Sequence, residues 1–285
     1  MKKDKIQLLE VYITNVCNLS CRGCNRFNNY NFKGHQLWVE YADDYEAWST
    51  RIDPIEIHII GGEPALNPDL EQWAMNLRRL WPASTIMIQT NGTYIKPNFS
   101  TFWDKYQVSF GISLHDIATA DHIMESWREL MGSWFNTFLE GFIFHTANVI
   151  KQDDHFVLQS ADQQESFDQC DMKYDHTMHR GKLYKCPSMA LYPEFKSQFD
   201  LRLTDEQTTL LSKYQPLSAD CSDDQLHEFI HTIDSSIAQC ALCPSSWQWH
   251  TAYGESPDKL PDSSFAIVTP EVIQFYKNTL ISTKK

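Results

Sequence analysis

Apolar, strand-like runs alternate with helical patterns through the first half of this 285-residue chain, and this order restricts its fold most. The predicted strands are Ile6 to Thr14, Ile55 to Ile60, Thr85 to Gln89, Val108 to Leu114 and about Phe142 to Val149. Among the predicted helices, one begins at Asn67 and Pro68 and another covers Ala120 to Met131. Strands that alternate with helices pair in parallel through right-handed crossovers. The sequence therefore predicts an α/β fold whose alternating units end near residue 155.

Three cysteines, Cys17, Cys21 and Cys24, lie within eight residues directly after the first predicted strand. Thiolates hold iron-sulfur clusters, and three of them leave one metal of a four-iron cube open to a ligand that is not protein. A closed set of four thiolates would be typical of a structural zinc instead. The spacing by itself also leaves open a zinc knuckle or uncoordinated thiols.

Further chemistry-bearing residues follow the next predicted strands. Gly61-Gly62-Glu63-Pro64 ends the second strand, Asn91 follows the third, and Ser113 lies near the end of the fourth. Paired glycines let the backbone approach a ligand and adopt torsions closed to other residues. Taken singly, these residues are equally typical of turns. Because ligands gather at the C-terminal ends of parallel strands, the sequence predicts that they form one site with the cysteines.

The Cys-x3-Cys-x2-Cys spacing, together with Gly61-Gly62-Glu63-Pro64, resembles the radical S-adenosylmethionine (SAM) superfamily. The resemblance implies an incomplete (β/α)6 TIM-like barrel over residues 1–155. It implies a [4Fe-4S] cluster on Cys17, Cys21 and Cys24, with SAM chelating the open iron. An electron from the cluster would split SAM to a 5'-deoxyadenosyl radical, which takes a hydrogen atom from the substrate.

The resemblance also assigns contacts with SAM to residues at the strand ends. These are Gly61, Gly62, Glu63 and Pro64 at the amino group, Asn91 and Ser113 near the ribose and carboxylate, and Asn148 or Val149 along the adenine. The family often has an aromatic residue just before the third cysteine, where this chain has Gly23. Phe27 is near enough in sequence to pack on the adenine in its place.

The second half of the chain holds the remaining cysteines. Cys170, Cys186 and the pair Cys240 and Cys243 supply four thiolates that can close a metal site. The pattern resembles the C-terminal extension of SPASM and twitch radical SAM enzymes, and no cysteine follows Cys243, which favours the twitch form. This implies a small metal-binding module over residues 156–285 with one auxiliary [4Fe-4S] cluster; zinc or no metal are the alternatives. Cys221 is predicted to be a plain thiol.

Charge and hydropathy exclude several classes of function. The net charge is −13. Affinity for nucleic acid depends largely on basic side chains that contact phosphates, so this acidic balance disfavours nucleic acid as a partner. No segment has the pattern of a secretory signal or the length of a membrane span, so no membrane partner is expected. A cytoplasmic location is expected, where thiols stay reduced and metal binding is favoured over disulfides.

Several other segments are interpreted as supporting structure. Asp175 to Arg180 is predicted to be a turn-like, solvated loop, and Asn28, Asn29 and Asn31 are predicted to form a flexible loop that covers the active site. Arg26 either forms a salt bridge within the protein or holds a carboxylate or phosphate. His115 and Asp116, at a strand end, could face the mouth of the barrel.

Together these features predict a radical SAM oxidoreductase or modifying enzyme that acts on a peptide or small-molecule substrate. A small electron donor such as flavodoxin or ferredoxin would reduce it. One alternative keeps this chemistry but acts on a sugar, aminocyclitol or nucleoside. The alternative from another class is a non-catalytic iron-sulfur or zinc protein.

Overall fold

The computed structural model describes residues 3–21, 24–115, 117–131, 139–140, 148–170 and 172–246. Most of the strand predicted at Phe142 to Val149 lies outside the described residues, as do Asp116 and residues 247–285 of the predicted C-terminal module. In the part of the chain that is described, no helix combines the length and the apolar character needed to cross a bilayer.

Strands and helices alternate as the sequence predicts. The strands are β1 Asp4–Tyr12, β2 Ile52–Ile60, β3 Thr85–Thr90, β4 Val108–Ser113, β5 Leu139–Glu140, β6 Val149–Gln152, β7 His155–Leu158, β8 His176–His179, β9 Lys182–Tyr184 and β10 Leu201–Arg202. The helices are α1 Trp38–Ser49, α2 Leu70–Leu80, α3 Phe102–Tyr106, α4 Ile117–Met131, α5 Gln163–Gln169, α6 Pro187–Gln198, α7 Asp205–Lys213 and α8 Asp223–His231.

A seven-stranded sheet in the order β5-β4-β3-β2-β1-β8-β9 organises the described residues. Every neighbouring pair in it is parallel except β8 with β9, which is an antiparallel hairpin. Between β1 and β4 the connections run through α1, α2 and α3, so the carboxyl ends of these strands meet at one edge. The prediction of an α/β fold with a parallel, partial TIM-like sheet is confirmed.

The helix after β2 begins later than its sequence indicates. Asn67 does not cap α2, because α2 starts at Leu70 and follows Asp69. The Asn67 side chain is fully buried and is engaged elsewhere: its amide donates to the carbonyls of Ile13 and Gln36, and its oxygen accepts from the Asp69 N–H. Tertiary partners therefore override the capping preference of this asparagine.

The segment predicted as a solvated loop between Asp175 and Arg180 is instead strand β8, and the prediction is wrong. All of β8 is buried, and it pairs in parallel with β1. Arg180 and Gly181 then turn the chain with φ of 49° and 71°, as a two-residue hairpin with two positive φ angles requires. The chain then continues as β9.

A smaller sheet, in the order β10-β7-β6, packs on a second apolar core that includes α6. Phe27 belongs to this core: its ring is 1% exposed and lies 5.4 Å from Tyr192 and 5.1 Å from Phe195, measured between ring centroids. The expectation that Phe27 packs on an adenine is therefore wrong, because the ring is buried among core aromatics. The domain division at residue 155 stays a prediction.

Candidate active site

The three clustered cysteines lie in the loop between β1 and α1, at the carboxyl edge of the large sheet. They line a cavity of about 580 Å³ together with residues from the ends of β2, β3 and β4. Of the residues predicted for this site, the cavity wall includes Cys17, Cys21, Cys24, Gly61, Gly62, Asn91 and Ser113. Glu63, Pro64, Asn148 and Val149 are not in this wall. The topology thus brings seven of the predicted residues together from four separate segments.

The glycine pair is required by the backbone of the cysteine loop. The Gly62 N–H donates to the carbonyl of Thr14 at 2.7 Å, and the Glu63 N–H donates to that of Val16 at 2.8 Å. A Cβ on Gly61 would lie 2.5 Å from the Thr14 carbonyl oxygen, and one on Gly62 would overlap the Val16 carbonyl. Neither glycine has a positive φ, so the torsion expectation for this pair is wrong. Close backbone approach is the reason for both residues.

Glu63 is a fully buried carboxylate that ties the glycine turn to the end of β3. One oxygen accepts from the Ala65 N–H at 2.9 Å and the Thr90 hydroxyl at 2.7 Å. The other accepts from the Asn91 N–H at 2.8 Å. Burial raises the pKa of Glu63 to about 7, and these three donors act in the opposite direction. Glu63 therefore holds the positions of Thr90 and Asn91 relative to the glycine pair.

The ionisation of Glu63 makes stability depend on pH. Since its pKa is raised in the folded state, the folded protein binds the proton more tightly, and the contribution of Glu63 to the free energy of unfolding should fall as pH rises from about 4.5 to about 7. A shift of this size corresponds to about 3 kcal/mol. Buried His115 and His176, whose pKa values are lowered to about 4, contribute in the opposite direction. Glu63→Gln should remove the contribution of Glu63 while costing about 1–3 kcal/mol, because its amide would face donors. Urea unfolding at pH 5 and pH 8 measures both effects.

Glu46→Gln is the matched control for that experiment, because Glu46 is half-exposed on α1. It should keep the pH dependence of the unmodified chain. A Glu63→Gln protein whose free energy of unfolding changes between pH 5 and pH 8 by the same amount as that of the unmodified chain would contradict this account of Glu63.

Asn91 connects β3 to the cysteine loop. Its side-chain amide donates to the Asn18 side chain at 2.9 Å and lies 3.9 Å from the Cys17 sulfur. Its oxygen accepts from the N–H and the hydroxyl of Thr93 at 2.9 and 2.7 Å. Asn91 is thus both a turn former and a wall of the cavity. The amide of Asn91 is therefore close enough to the Cys17 sulfur to donate a weak hydrogen bond to it.

Arg26 forms a buried ion pair directly behind the cysteine loop. Its guanidinium contacts Glu10 of β1 at 2.6 Å, and both side chains are more than nine-tenths buried. Arg26 also lines the cavity, yet its Nη1 has no hydrogen-bond partner among the described residues. The prediction of a salt bridge within the protein is confirmed. A donor left unpaired at this wall leaves room for an acceptor supplied by a bound group.

Two asparagines that follow the third cysteine are ordered parts of the wall, and the prediction of a flexible covering loop is wrong for them. Asn28 and Asn29 lie in a buried 3-10 turn that ends at Tyr30. The amide of Asn28 donates to the Asn15 carbonyl and to the Tyr12 hydroxyl. Asn29 Oδ1 has no partner among the described residues. These polar groups are held in place before any ligand arrives.

His115 also lines the cavity, just beyond the end of β4. Burial lowers its pKa to about 4, so its imidazole is neutral at physiological pH. Gln89, whose amide donates to the Ser113 hydroxyl at 3.3 Å, is a wall residue that the sequence analysis missed. Its position at the carboxyl end of the predicted strand Thr85 to Gln89 was the sequence signal that could have placed it in the wall.

The four cysteines of the second half also meet in one cavity, of about 850 Å³. Cys170 follows α5, Cys186 precedes α6, and Cys240 and Cys243 lie in and just after a 3-10 turn. That turn is fixed by bonds from the Ser166 hydroxyl to the Cys243 carbonyl and from the Tyr192 hydroxyl to the Leu242 carbonyl. Residues far apart in sequence thus form a single donor set. Cys221 lies outside it, near Arg51.

Two predicted SAM contacts lie near this second cavity. Asn148 lines it and donates to the Ser188 hydroxyl at 3.0 Å. Val149 is buried in the second core, and its carbonyl accepts from the Tyr30 hydroxyl at 3.4 Å. Asn25, the residue after Cys24, lines both cavities, so the two cysteine sets face adjoining spaces. The assignment of Asn148 and Val149 to an adenine stays a prediction.

The spacing of the sulfur atoms tests which metal each set fits. A single tetrahedral zinc with bonds of about 2.3 Å holds its sulfurs roughly 3.8 Å apart. Among the described cysteines, no three sulfurs lie within 4.8 Å of one another. A cube, with its metals at separate corners, holds its thiolates farther apart than one ion does. Both donor sets therefore fit an iron-sulfur cluster better than a single zinc.

The thiols themselves are protonated before metal arrives. Burial raises the pKa of Cys17, Cys186 and Cys243 to about 12, and it raises those of Cys21 and Cys24 as well. Metal ligation requires thiolates, so loading either site releases protons.

Parts of this chain are similar to known proteins. Residues 11–131 match the model of the Radical SAM superfamily. The GTP 3',8-cyclase of Aquifex aeolicus (strain VF5) is 25% identical over 115 residues, which are 39% of this chain and 36% of the cyclase. The GTP 3',8-cyclase of Nautilia profundicola is 30% identical over 94 residues, 32% of this chain and 30% of that cyclase. The chain thus spans about a third of the length of these curated relatives.

Among solved structures, BtrN in complex with AdoMet and 2-DOIA is similar at a TM-score of 0.44 and 13% identity, over 84% of this chain and 85% of that one. The family match covers the strands and loops that carry the three clustered cysteines, the glycine pair, Asn91 and Ser113. Residues 11–131 of this chain thus match the radical SAM superfamily.

Proposed function

We propose that this protein is an enzyme that cleaves SAM reductively at a [4Fe-4S] cluster held by Cys17, Cys21 and Cys24. The observation that carries the proposal is the meeting of these cysteines with Gly61 and Gly62 in one cavity at the carboxyl edge of the sheet. When bound, the cluster and SAM supply the electron and the 5'-deoxyadenosyl radical that removes a hydrogen atom from a substrate. The protein supplies position and protection from water.

The wall residues have separate tasks in this proposal. The backbone of Gly61 and Gly62 binds the amino group of SAM, and Glu63 holds that turn against β3 without entering the cavity. Asn91 and Ser113 lie near the ribose and carboxylate. The unpaired Nη1 of Arg26 can donate to an acceptor on the bound group. The imidazole of His115, kept neutral by its lowered pKa, offers one hydrogen-bond donor and one acceptor to a bound group.

We further propose a second [4Fe-4S] cluster on Cys170, Cys186, Cys240 and Cys243. The joint cavity supports one shared metal site, and iron-sulfur is favoured over zinc because no three of the described sulfurs lie within 4.8 Å of one another. Because Asn25 borders both cavities, a substrate placed between them would be near both metal sites. This cluster would assist oxidation by accepting an electron from the substrate. The neighbouring Lys185 is a buried cation that would offset part of its negative charge.

The substrate is proposed as a peptide or a small molecule, the latter a sugar, aminocyclitol or nucleoside. The two cyclase relatives are named for a reaction of GTP, which favours the nucleoside class, and they match only 39% and 32% of this chain. None of the eight cysteines forms a disulfide, which fits the reducing cytoplasm, where a flavodoxin or ferredoxin would deliver the electron.

Anaerobic reconstitution followed by metal analysis tests the proposal. About eight irons with matching sulfide per chain would support two cubes. Addition of dithionite and SAM should then release 5'-deoxyadenosine, measured by chromatography. A fully loaded protein that releases none would overturn the proposed activity and favour a non-catalytic metal protein.

A further inference from the structure

A third group of metal-binding side chains lies at the opposite end of β1 from the cysteine loop. Asp4 is the first residue of β1, and His227 and His231 lie one turn apart on α8, so they share one face of that helix. Asp4 Oδ1 is 3.3 Å from His227 Nδ1 and 3.9 Å from His231 Nε2. The two imidazole centroids are 4.1 Å apart. One ligand atom from each residue lies within 4.8 Å of the other two.

These distances fit a single metal ion better than hydrogen bonding alone. A tetrahedral zinc with bonds of about 2.0–2.1 Å to nitrogen and oxygen places its ligand atoms roughly 3.3 Å apart. The contact of Asp4 with His227 matches this value, and the contact with His231 is slightly longer. At 3.9 Å the latter is too long for a hydrogen bond, so hydrogen bonding does not explain why His231 is held there.

The surroundings favour a cation that can enter from solvent. The side chains of His227 and His231 are 65% and 57% exposed, and that of Asp4 is 25% exposed. Asp223 and Asp224 line the same cleft as Asp4 and His227. Arg51 is the one lysine or arginine among the residues that line this cleft. Its guanidinium is already paired with Asp223 at 2.8 Å and with the Ala219 carbonyl at 2.7 Å. Carboxylates therefore outnumber cations in this cleft.

We propose that Asp4, His227 and His231 bind a divalent transition metal ion, for which Zn²⁺ suits the ligand set best. The ion would join the start of β1 to α8, two segments more than 200 residues apart, and would keep a position open to water. This site is independent of the proposed radical chemistry, because it shares no residue with either cysteine set.

Zinc titration of the cluster-loaded chain under anaerobic conditions, in competition with a chromogenic chelator, tests the site. We expect one Zn²⁺ per chain, with affinity lowered at least about tenfold by His231→Ala, since losing even a supporting partner of a metal ligand costs that much. Zn²⁺ should also raise the melting temperature of the unmodified chain, and this rise should be absent in the variant.

His155→Ala is the matched control, because His155 also pairs with an aspartate, Asp154, at 3.2 Å but lacks a third ligand within the described residues. It should bind zinc like the unmodified chain. Equal zinc affinity in the unmodified and His231→Ala proteins would overturn the proposal and assign the ion to thiols. If the clusters fail to load, free thiols add the same background to all three proteins, so the comparison still decides.

Discussion

Replacing Cys24 with alanine should abolish release of 5'-deoxyadenosine and remove about four of the eight irons expected per chain, because two thiolates cannot hold a four-iron cube. Cys24 is partly buried, and its sulfur lies 3.8 Å from Asn28 Oδ1. The loss should be complete rather than graded, since no other described cysteine lines that cavity. Iron and sulfide analysis and the dithionite-driven assay measure both effects.

Cys221→Ala is the matched control for this variant. Cys221 is a partly buried thiol whose sulfur contacts Arg51 at 3.3 Å, away from both cysteine cavities. It should keep the full iron content and the full rate of SAM cleavage. Circular dichroism should show both variants folded. A Cys24→Ala protein that releases 5'-deoxyadenosine at the unmodified rate would exclude the first cysteine set as the catalytic site.

The sequence predicts those parts of the fold whose signals are local. β2 and β3 are apolar runs, and α2 buries Leu70, Trp73 and Leu77 at helical spacing. Each pattern lies within a few consecutive turns or residues of one segment, so the sequence of that segment alone predicts the element. The cysteine spacing and the glycine pair are also local, and the order of strands and helices is sufficient to bring them to one edge. Close spacing in sequence and a shared sheet edge therefore predict most of the cavity wall.

The missed features depend on partners that are distant in sequence. The sequence of β8 shows no alternation of apolar and polar residues. Its polar side chains are nevertheless buried, because other elements supply their hydrogen-bond partners: Thr177 donates to Glu10 at 3.3 Å, and His179 contacts Glu194 at 2.9 Å. The same holds for the pair of Arg26 with Glu10, which joins the cysteine loop to β1. Buried polar groups of this kind carry no pattern within one segment. Their positions follow only from the assembled sheet.

Replacing Cys243 with alanine should separate the two metal sites. The iron content should fall from about eight towards about four per chain, since the second cube would lose one of its four protein ligands with no SAM to complete it, while the first set is untouched. Cys243 is partly buried, its carbonyl accepts from the Ser166 hydroxyl, and its sulfur lies 3.8 Å from the Tyr192 hydroxyl.

This variant should still release 5'-deoxyadenosine without substrate, because Cys17, Cys21 and Cys24 and the walls around them belong to a separate cavity. Turnover of the true substrate should be lost if the second cluster accepts its electron. Metal analysis distinguishes the alternatives: loss of about one zinc with four irons retained would identify the second site as zinc. An unchanged count of eight irons would exclude Cys243 as a ligand, whereas loss of SAM cleavage would show that the two cavities are coupled.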